Sequence, residues 1–309
     1  MVNVGLTASS AFLLVASCLM LSKDATRDIH RSLRQDVGKE QMKTLIEAAK
    51  KKLVKPAPDI LGVVINSPKC GTAGLTQSFV NSFDPCLLKN ITSEEVQYFE
   101  CAEGRGVIRS HDLERGTEAI KEIRRDAALQ QCLVVTAIRH PEHWLPSLFL
   151  QCREGNALCH ADVSREEYFQ RYHDWLMFER EMNKARNTVR AVRPILLKAF
   201  GATSLESEMI KVQENGGYSL LEDPEPEGGF KNCKLLFLRM EDEERWHSIL
   251  ADVMPGIRYF KASSRLDKCP KTADHYKALQ DYKLSEEEKA SVLGDDPDMR
   301  EYFRAYGLL

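Results

Sequence analysis

Residues 60–80 read ILGVVINSPKCGTAGLTQSFV. The apolar, mostly β-branched run at Leu61, Val63, Val64 and Ile65 predicts a buried strand, and Leu75, Phe79 and Val80 recur at helical spacing. Between them lies Pro68-Lys69-Cys70-Gly71-Thr72, a turn with the parts of an anion cradle. Gly71 permits a tight backbone turn, the N–H groups from Cys70 through Ala73 can point inward at the start of the helix, and Lys69 adds a full positive charge. A phosphate or a sulfate suits such a loop. The order differs from the nucleotide-triphosphate loop G-x-x-x-x-G-K-[ST], because Lys69 precedes Gly71 and no Gly-Lys-Ser/Thr follows.

The chain has 309 residues, 43% hydrophobic and 29% charged, which accommodates one large α/β domain or two small ones. A net charge of -3 offers no bulk attraction to nucleic acid, so any anion site must be built locally from individual Lys and Arg residues. Cysteines are scattered without a CxxC pair. Setting aside Cys18 and Cys70 leaves an odd number that cannot all pair; a lumenal setting leaves one or two disulfides open, for example Cys86–Cys101 or Cys152–Cys159, which the sequence alone does not assign. His140, His143, Cys152, Cys159 and His160 match no standard zinc spacing, and no metal is expected.

Val4–Leu21, VGLTASSAFLLVASCLML, is nearly charge-free and just long enough to cross a bilayer as a helix. Residues 1–22 are read as an N-terminal membrane anchor, with two other readings open: the apolar core of a cleaved signal peptide, or a lipoprotein-like Val-Ala-Ser-Cys ending at Cys18. Residues 23–58 read as a charged stem closing on Lys50-Lys51-Lys52 and Pro56-Ala57-Pro58, and residues 59–309 as the folded domain. Asn90-Ile91-Thr92 is a glycosylation sequon that fits a lumenal setting.

Beyond the loop, residues 86–106 read as a polar connection with a short helix near Ser93–Phe99. Gly106–His111, GVIRSH, reads as a strand ending in a basic residue and a histidine, and ligands of α/β sheets sit beyond such strand ends. Leu133–Ile138 is the clearest buried strand, followed by Arg139-His140-Pro141 and a helix carrying Ser147, in IRHPEHWLPSLFLQ. Arg139 offers a forked pair of donors and Ser147 one more; Pro146 fits only within that helix's first turn. Residues 164–200 form an amphipathic region whose stripe of Tyr168, Tyr172, Trp175, Leu176, Phe178 and Met182 is read as core. Residues 201–229 are acidic, broken by glycines and prolines, and read as a loop insertion. A strand at Lys234–Arg239 and an amphipathic helix with Trp246 follow, then a basic stretch with Lys261, Arg265 and Lys268, then charged C-terminal helices.

Taken in order, these segments resemble the sulfotransferases that use 3′-phosphoadenosine 5′-phosphosulfate (PAPS). Pro-Lys-Cys-Gly-Thr resembles the family's 5′-phosphosulfate loop. Arg109-Ser110-His111 resembles its Lys-Thr-His strand end, with Arg in place of Lys. Arg139 and Ser147 match its 3′-phosphate pair, and LLFLRMEDEERW resembles its late Leu-Arg-Tyr-Glu-Asp-Leu segment, with Met240 in place of Tyr. The family's C-terminal Arg-Lys-Gly triplet is absent. A second Ser or Thr usual after the loop Thr is Ala73 here, and Gly74 stands where Trp is common.

The resemblance implies a P-loop-like fold, a central parallel sheet flanked by helices, and transfer of a sulfuryl group to an acceptor hydroxyl. Lys69 and His111 would be catalytic. Lys69, Cys70, Gly71, Thr72, Ala73, Arg139, Ser147 and Arg265 would hold PAPS and its product 3′,5′-adenosine bisphosphate (PAP), without a metal. A neutral imidazole, ordinary pKa about 6.5, suits the base. A lumen-facing Golgi anchor would favour a glycan acceptor. Two alternatives stand beside it: a membrane-tethered, non-catalytic relative that binds nucleotide or a partner, and a P-loop kinase-like nucleotide enzyme.

Overall fold

Four strands are buried on both faces, as unbroken apolar runs require when helices cover each side of a parallel sheet: β1 (Ile60–Ile65), β4 (Arg105–Ser110), β5 (Gln131–Ile138) and β7 (Cys233–Arg239). The computed structural model describes residues 59–66, 69–90, 96–123, 131–222, 230, 232–262, 269 and 271–309. The segments read as anchor (1–22) and stem (23–58) lie outside them, as does Arg265. Among the described residues no helix is long and apolar enough to cross a membrane.

The sheet has seven strands in the order β2-β3-β4-β1-β5-β7-β6, where β2 is Cys86–Asn90, β3 Val96–Cys101 and β6 Tyr218–Leu221. Its centre, β4-β1-β5-β7, is parallel, but both edges are antiparallel, so the sheet is mixed rather than purely parallel. Two expectations are corrected at those edges. Of the helix expected near Ser93–Phe99, residues 96–99 belong instead to β3, the rest lying outside the described residues, and the loop expected at 201–229 contains a helix and β6.

Helix α1 (Thr72–Ser82) follows β1, and α2 (Leu113–Ile123) follows β4. A methyl at Gly62 would meet the Phe79 ring of α1 at 2.5 Å, whereas Gly116 of α2 lies against Ile65 and Ser110. Because Gly62 and Ile65 project from opposite sides of one strand, the two helices cover opposite faces of the sheet. After β5 come α3 (Pro141–Phe149), α4 (Arg153–Leu158), α5 (Arg165–Leu176), α6 (Glu179–Ala199) and α7 (Leu205–Glu214). A 3-10 turn, Met240–Arg245, leads from β7 into α8 (Trp246–Val253), and α9 (Ala273–Gln280), α10 (Glu286–Leu293) and α11 (Pro297–Arg304) close the chain.

The aromatic stripe is core at Tyr168, Tyr172, Trp175, Leu176 and Met182, but Phe178 is exposed, because it sits at the joint where α5 ends and α6 begins. Pro146 falls inside α3 rather than in its first turn, at the cost of one helical N–H bond.

Three disulfides staple the fold: Cys86–Cys101 across the β2–β3 pair, Cys132–Cys233 between neighbouring β5 and β7, and Cys159–Cys269. A Cys152–Cys159 bridge is absent, because α4 separates the two: Cys152 caps its start and Cys159 its end. Cys132–Cys233 closes the separation of 101 residues between the two central strands. The double variant Cys132→Ala/Cys233→Ala is expected to lose about 2–5 kcal/mol of stability in chemical denaturation.

Candidate active site

The chain leaves β1 towards β4 on one side, and leaves β5 towards β7 on the other. The switch point of the sheet is therefore between the carboxyl ends of β1 and β5, the place where α/β sheets form a ligand crevice. A cavity of about 450 Å³ opens there, lined by Lys69, Gly71, Thr72, Ala73 and Gly74 after β1, Arg109 and His111 at β4, and Arg139 and Ser147 after β5. Its size suits a small organic ligand.

Lys69 (φ 66) and Gly71 (φ 78) both adopt the left-handed conformation, folding the chain sharply back into α1. At Gly71 a methyl would strike the Trp246 ring at 2.7 Å and the Met240 sulfur at 2.9 Å, so only glycine fits. Gly71 also caps α1 without a side-chain hydrogen bond, and the first turn has no acidic residue. Thr72 in that turn is buried, and its Oγ1 has no hydrogen-bond partner among the described residues. Helix-start amides, this hydroxyl and the positive end of the helix dipole suit an anion. The Cys70 side chain is buried in the core, so what this residue can offer the loop is its backbone N–H.

After β5, Arg139 Nη1 donates to Ser147 Oγ at 2.7 Å, and Ser147 Oγ lies 2.5 Å from Tyr276 Oη. Arg139 and Ser147, eight residues apart in sequence, are thus in direct contact. Arg139 Nη1 also reaches the Lys69 carbonyl at 3.5 Å, and Tyr302 donates its hydroxyl to the Arg139 carbonyl. Among the described residues Arg139 forms no ion pair, which leaves its forked guanidinium to an external anion.

At β4, His111 Nδ1 lies 2.8 Å from the Asn66 carbonyl. A carbonyl only accepts, so Nδ1 carries the proton and a neutral ring holds its lone pair on Nε2. Nε2 is 3.4 Å from Arg109 Nη2, and Arg109 Nη1 donates to Gln97 Oε1 at 3.1 Å. Burial lowers the Arg109 pKa below its ordinary value.

Asn66, fully buried at the end of β1, connects all three parts. Its Nδ2 donates to the Cys70 carbonyl at 2.8 Å, its Oδ1 accepts from Thr136 Oγ1 at 3.0 Å and from the Ala137 N–H, and its carbonyl holds His111. Replacing it by the near-isosteric Asn66→Leu strands those buried groups, and a loss of about 3–5 kcal/mol in denaturation is expected.

On the remaining side, residues 258–262 lie along α1. Phe260 N–H donates to Ser78 Oγ at 2.7 Å and Arg258 N–H to Ser82 Oγ at 2.9 Å. A methyl at Gly74 would sit 3.0 Å from the Phe260 carbonyl, so glycine there makes room for the strap. Glu243 pairs with Lys261 at 3.3 Å and accepts from Tyr259, whose pKa is raised by burial and by that carboxylate.

Asn66, Tyr276 and Tyr259 were not legible as site residues; Lys261 stood in the basic stretch of the sequence, and the structure pairs it with Glu243. Asn66 carried one signal, a polar residue ending an apolar strand run just before the turn. Tyr276 carried none, because its partner Ser147 is 129 residues away. No protein-family model, no curated protein and no solved structure matches this chain.

Proposed function

We propose that this protein is a PAPS-dependent sulfotransferase with a P-loop-like sulfotransferase fold, acting on an acceptor hydroxyl of a glycan. The observation that carries the reading is the meeting of three separate motifs in one cleft: the Lys69–Thr72 loop, the Arg139–Ser147 pair and His111. The residues fit the donor's two anionic ends. The amides at the start of α1, the Thr72 hydroxyl and Lys69 would hold the 5′-phosphosulfate, and Arg139 with Ser147 would hold the 3′-phosphate. When bound, the donor supplies the sulfuryl group and departs as PAP.

The chain's own contribution is acid–base and electrostatic. His111 Nε2, with Nδ1–H anchored on the Asn66 carbonyl, takes the proton from the acceptor hydroxyl as its oxygen bonds to sulfur. Lys69 and the loop amides stabilise the negative charge that collects on the bridging oxygen as its bond to sulfur breaks. Arg139 and Ser147, braced by Tyr276, fix the nucleotide so that the acceptor meets sulfur from the His111 side.

Three disulfides fit an oxidising compartment, and with the apolar stretch at Val4–Leu21 they support a lumen-facing, membrane-anchored protein of the secretory pathway, Golgi included. Transfer of radiolabelled sulfate from PAPS to a panel of glycans, tyrosine peptides and lipids tests the activity. Labelled product supports it; PAP binding with no product on any acceptor would favour the non-catalytic relative.

A further inference from the structure

We propose that Arg109 is a receptor for a negative charge on the acceptor, so that the substrate is an anionic saccharide bearing a carboxylate or a sulfate ester near the reacting hydroxyl. The inference rests on the donor reading above and names the substrate class of the same site.

Arg109 lies at the β4 end of the cleft, beside the base and away from the Arg139–Ser147 pair that follows β5. Its two partners among the described residues are neutral: Gln97 Oε1 at 3.1 Å, from the directly opposed position of β3, and His111 Nε2 at 3.4 Å. No carboxylate pairs with it among the described residues, and it is only part-exposed in the wall of the cavity. A guanidinium withdrawn from water without a counter-charge is costly, and a structure normally avoids it by supplying a carboxylate.

The other charged walls behave differently. Lys261 is already paired with Glu243. Arg139 has its place on the donor, with Ser147. Among the described residues, Arg109 is thus the cation next to His111 that neither a carboxylate nor the donor's phosphates account for. Gln97 Oε1 takes one hydrogen of Nη1 and His111 Nε2 one of Nη2, and the donors that remain on the guanidinium, one on each Nη included, can meet the two oxygens of a carboxylate or a sulfate ester. A saccharide seated there would present the hydroxyl neighbouring its charged group to His111 Nε2.

Calorimetric titration of the full chain saturated with PAP tests this with three probes: p-nitrophenyl β-D-glucuronide, p-nitrophenyl β-D-glucoside 6-sulfate and the neutral p-nitrophenyl β-D-glucoside. At least one anionic probe is expected to bind about tenfold or more tightly than the neutral one, and which one does separates carboxylate from sulfate ester. Arg109→Gln should erase the preference, and Arg109→Lys, keeping charge without the fork, should retain a reduced one. Both variants should bind PAP within about threefold of wild type, which also reports that they fold. Equal binding of all three probes, or a preference that survives in Arg109→Gln, overturns the inference while leaving the donor site standing. A loss of PAP affinity above about tenfold in Arg109→Gln would move Arg109 onto the donor and overturn it likewise. Absence of PAP binding by the wild type contradicts the donor reading itself, and this inference falls with it.

Discussion

His111→Ala is expected to lower sulfate transfer by about 10²- to 10⁴-fold, the range over which a positioned general base acts, with PAP affinity within about twofold of wild type. The split between the two readouts follows from placement. His111 touches the Asn66 carbonyl and Arg109, whereas the groups assigned to the nucleotide are the loop amides, Thr72, Arg139 and Ser147. The tautomer matters as much as the ring. With Nδ1–H donated to a main-chain carbonyl, only Nε2 is left to accept a proton; it lies 3.4 Å from Arg109 Nη2, and both residues line the cavity. His111→Gln, which can keep the hydrogen bond to Asn66 without a basic nitrogen, should be as inactive as Ala. Turnover unchanged in either variant would take the base role away from this residue.

Arg139→Ala is the second large effect: PAP affinity should fall about 10- to 100-fold, because a charge-assisted, forked contact to a phosphate is lost. The contact to the Lys69 carbonyl at 3.5 Å adds to this, since the same guanidinium steadies the loop that receives the other end of the nucleotide. Arg139→Lys should restore little, as a point charge cannot serve Ser147 Oγ and a phosphate at once. Ser147→Ala should cost less, at most about tenfold, because it removes one neutral donor. Direct titration separates these variants.

The parts of the fold legible in the sequence are those whose surroundings are the same on every side. β1, β4, β5 and β7 are buried on both faces, so their apolar runs declare them. The edges were not legible. β3 is partly exposed along Gln97–Glu100, and β6 is a four-residue strand paired, among the described residues, with β7 alone, so each takes its structure from its sheet neighbours. The site divides in the same way. The glycine turn, Arg139 with Ser147, and the strand-end histidine are local patterns with a chemical reason for their spacing. The brace is long-range: Tyr276 on Ser147, Asn66 on Ala137, Gln97 on Arg109 and the strap on Ser78 depend on packing that no local pattern encodes.

The central claim is that one doubly phosphorylated nucleotide spans the β1 loop and the β5 pair. Titration of the wild-type protein and of Arg139→Ala with PAP, adenosine 5′-monophosphate and ATP with magnesium tests it most directly. The account predicts that wild type binds PAP about tenfold or more tightly than either competitor, and that Arg139→Ala loses the advantage of PAP over the monophosphate. Equal affinity for PAP and the monophosphate in the wild type, or tighter binding of ATP, would contradict it.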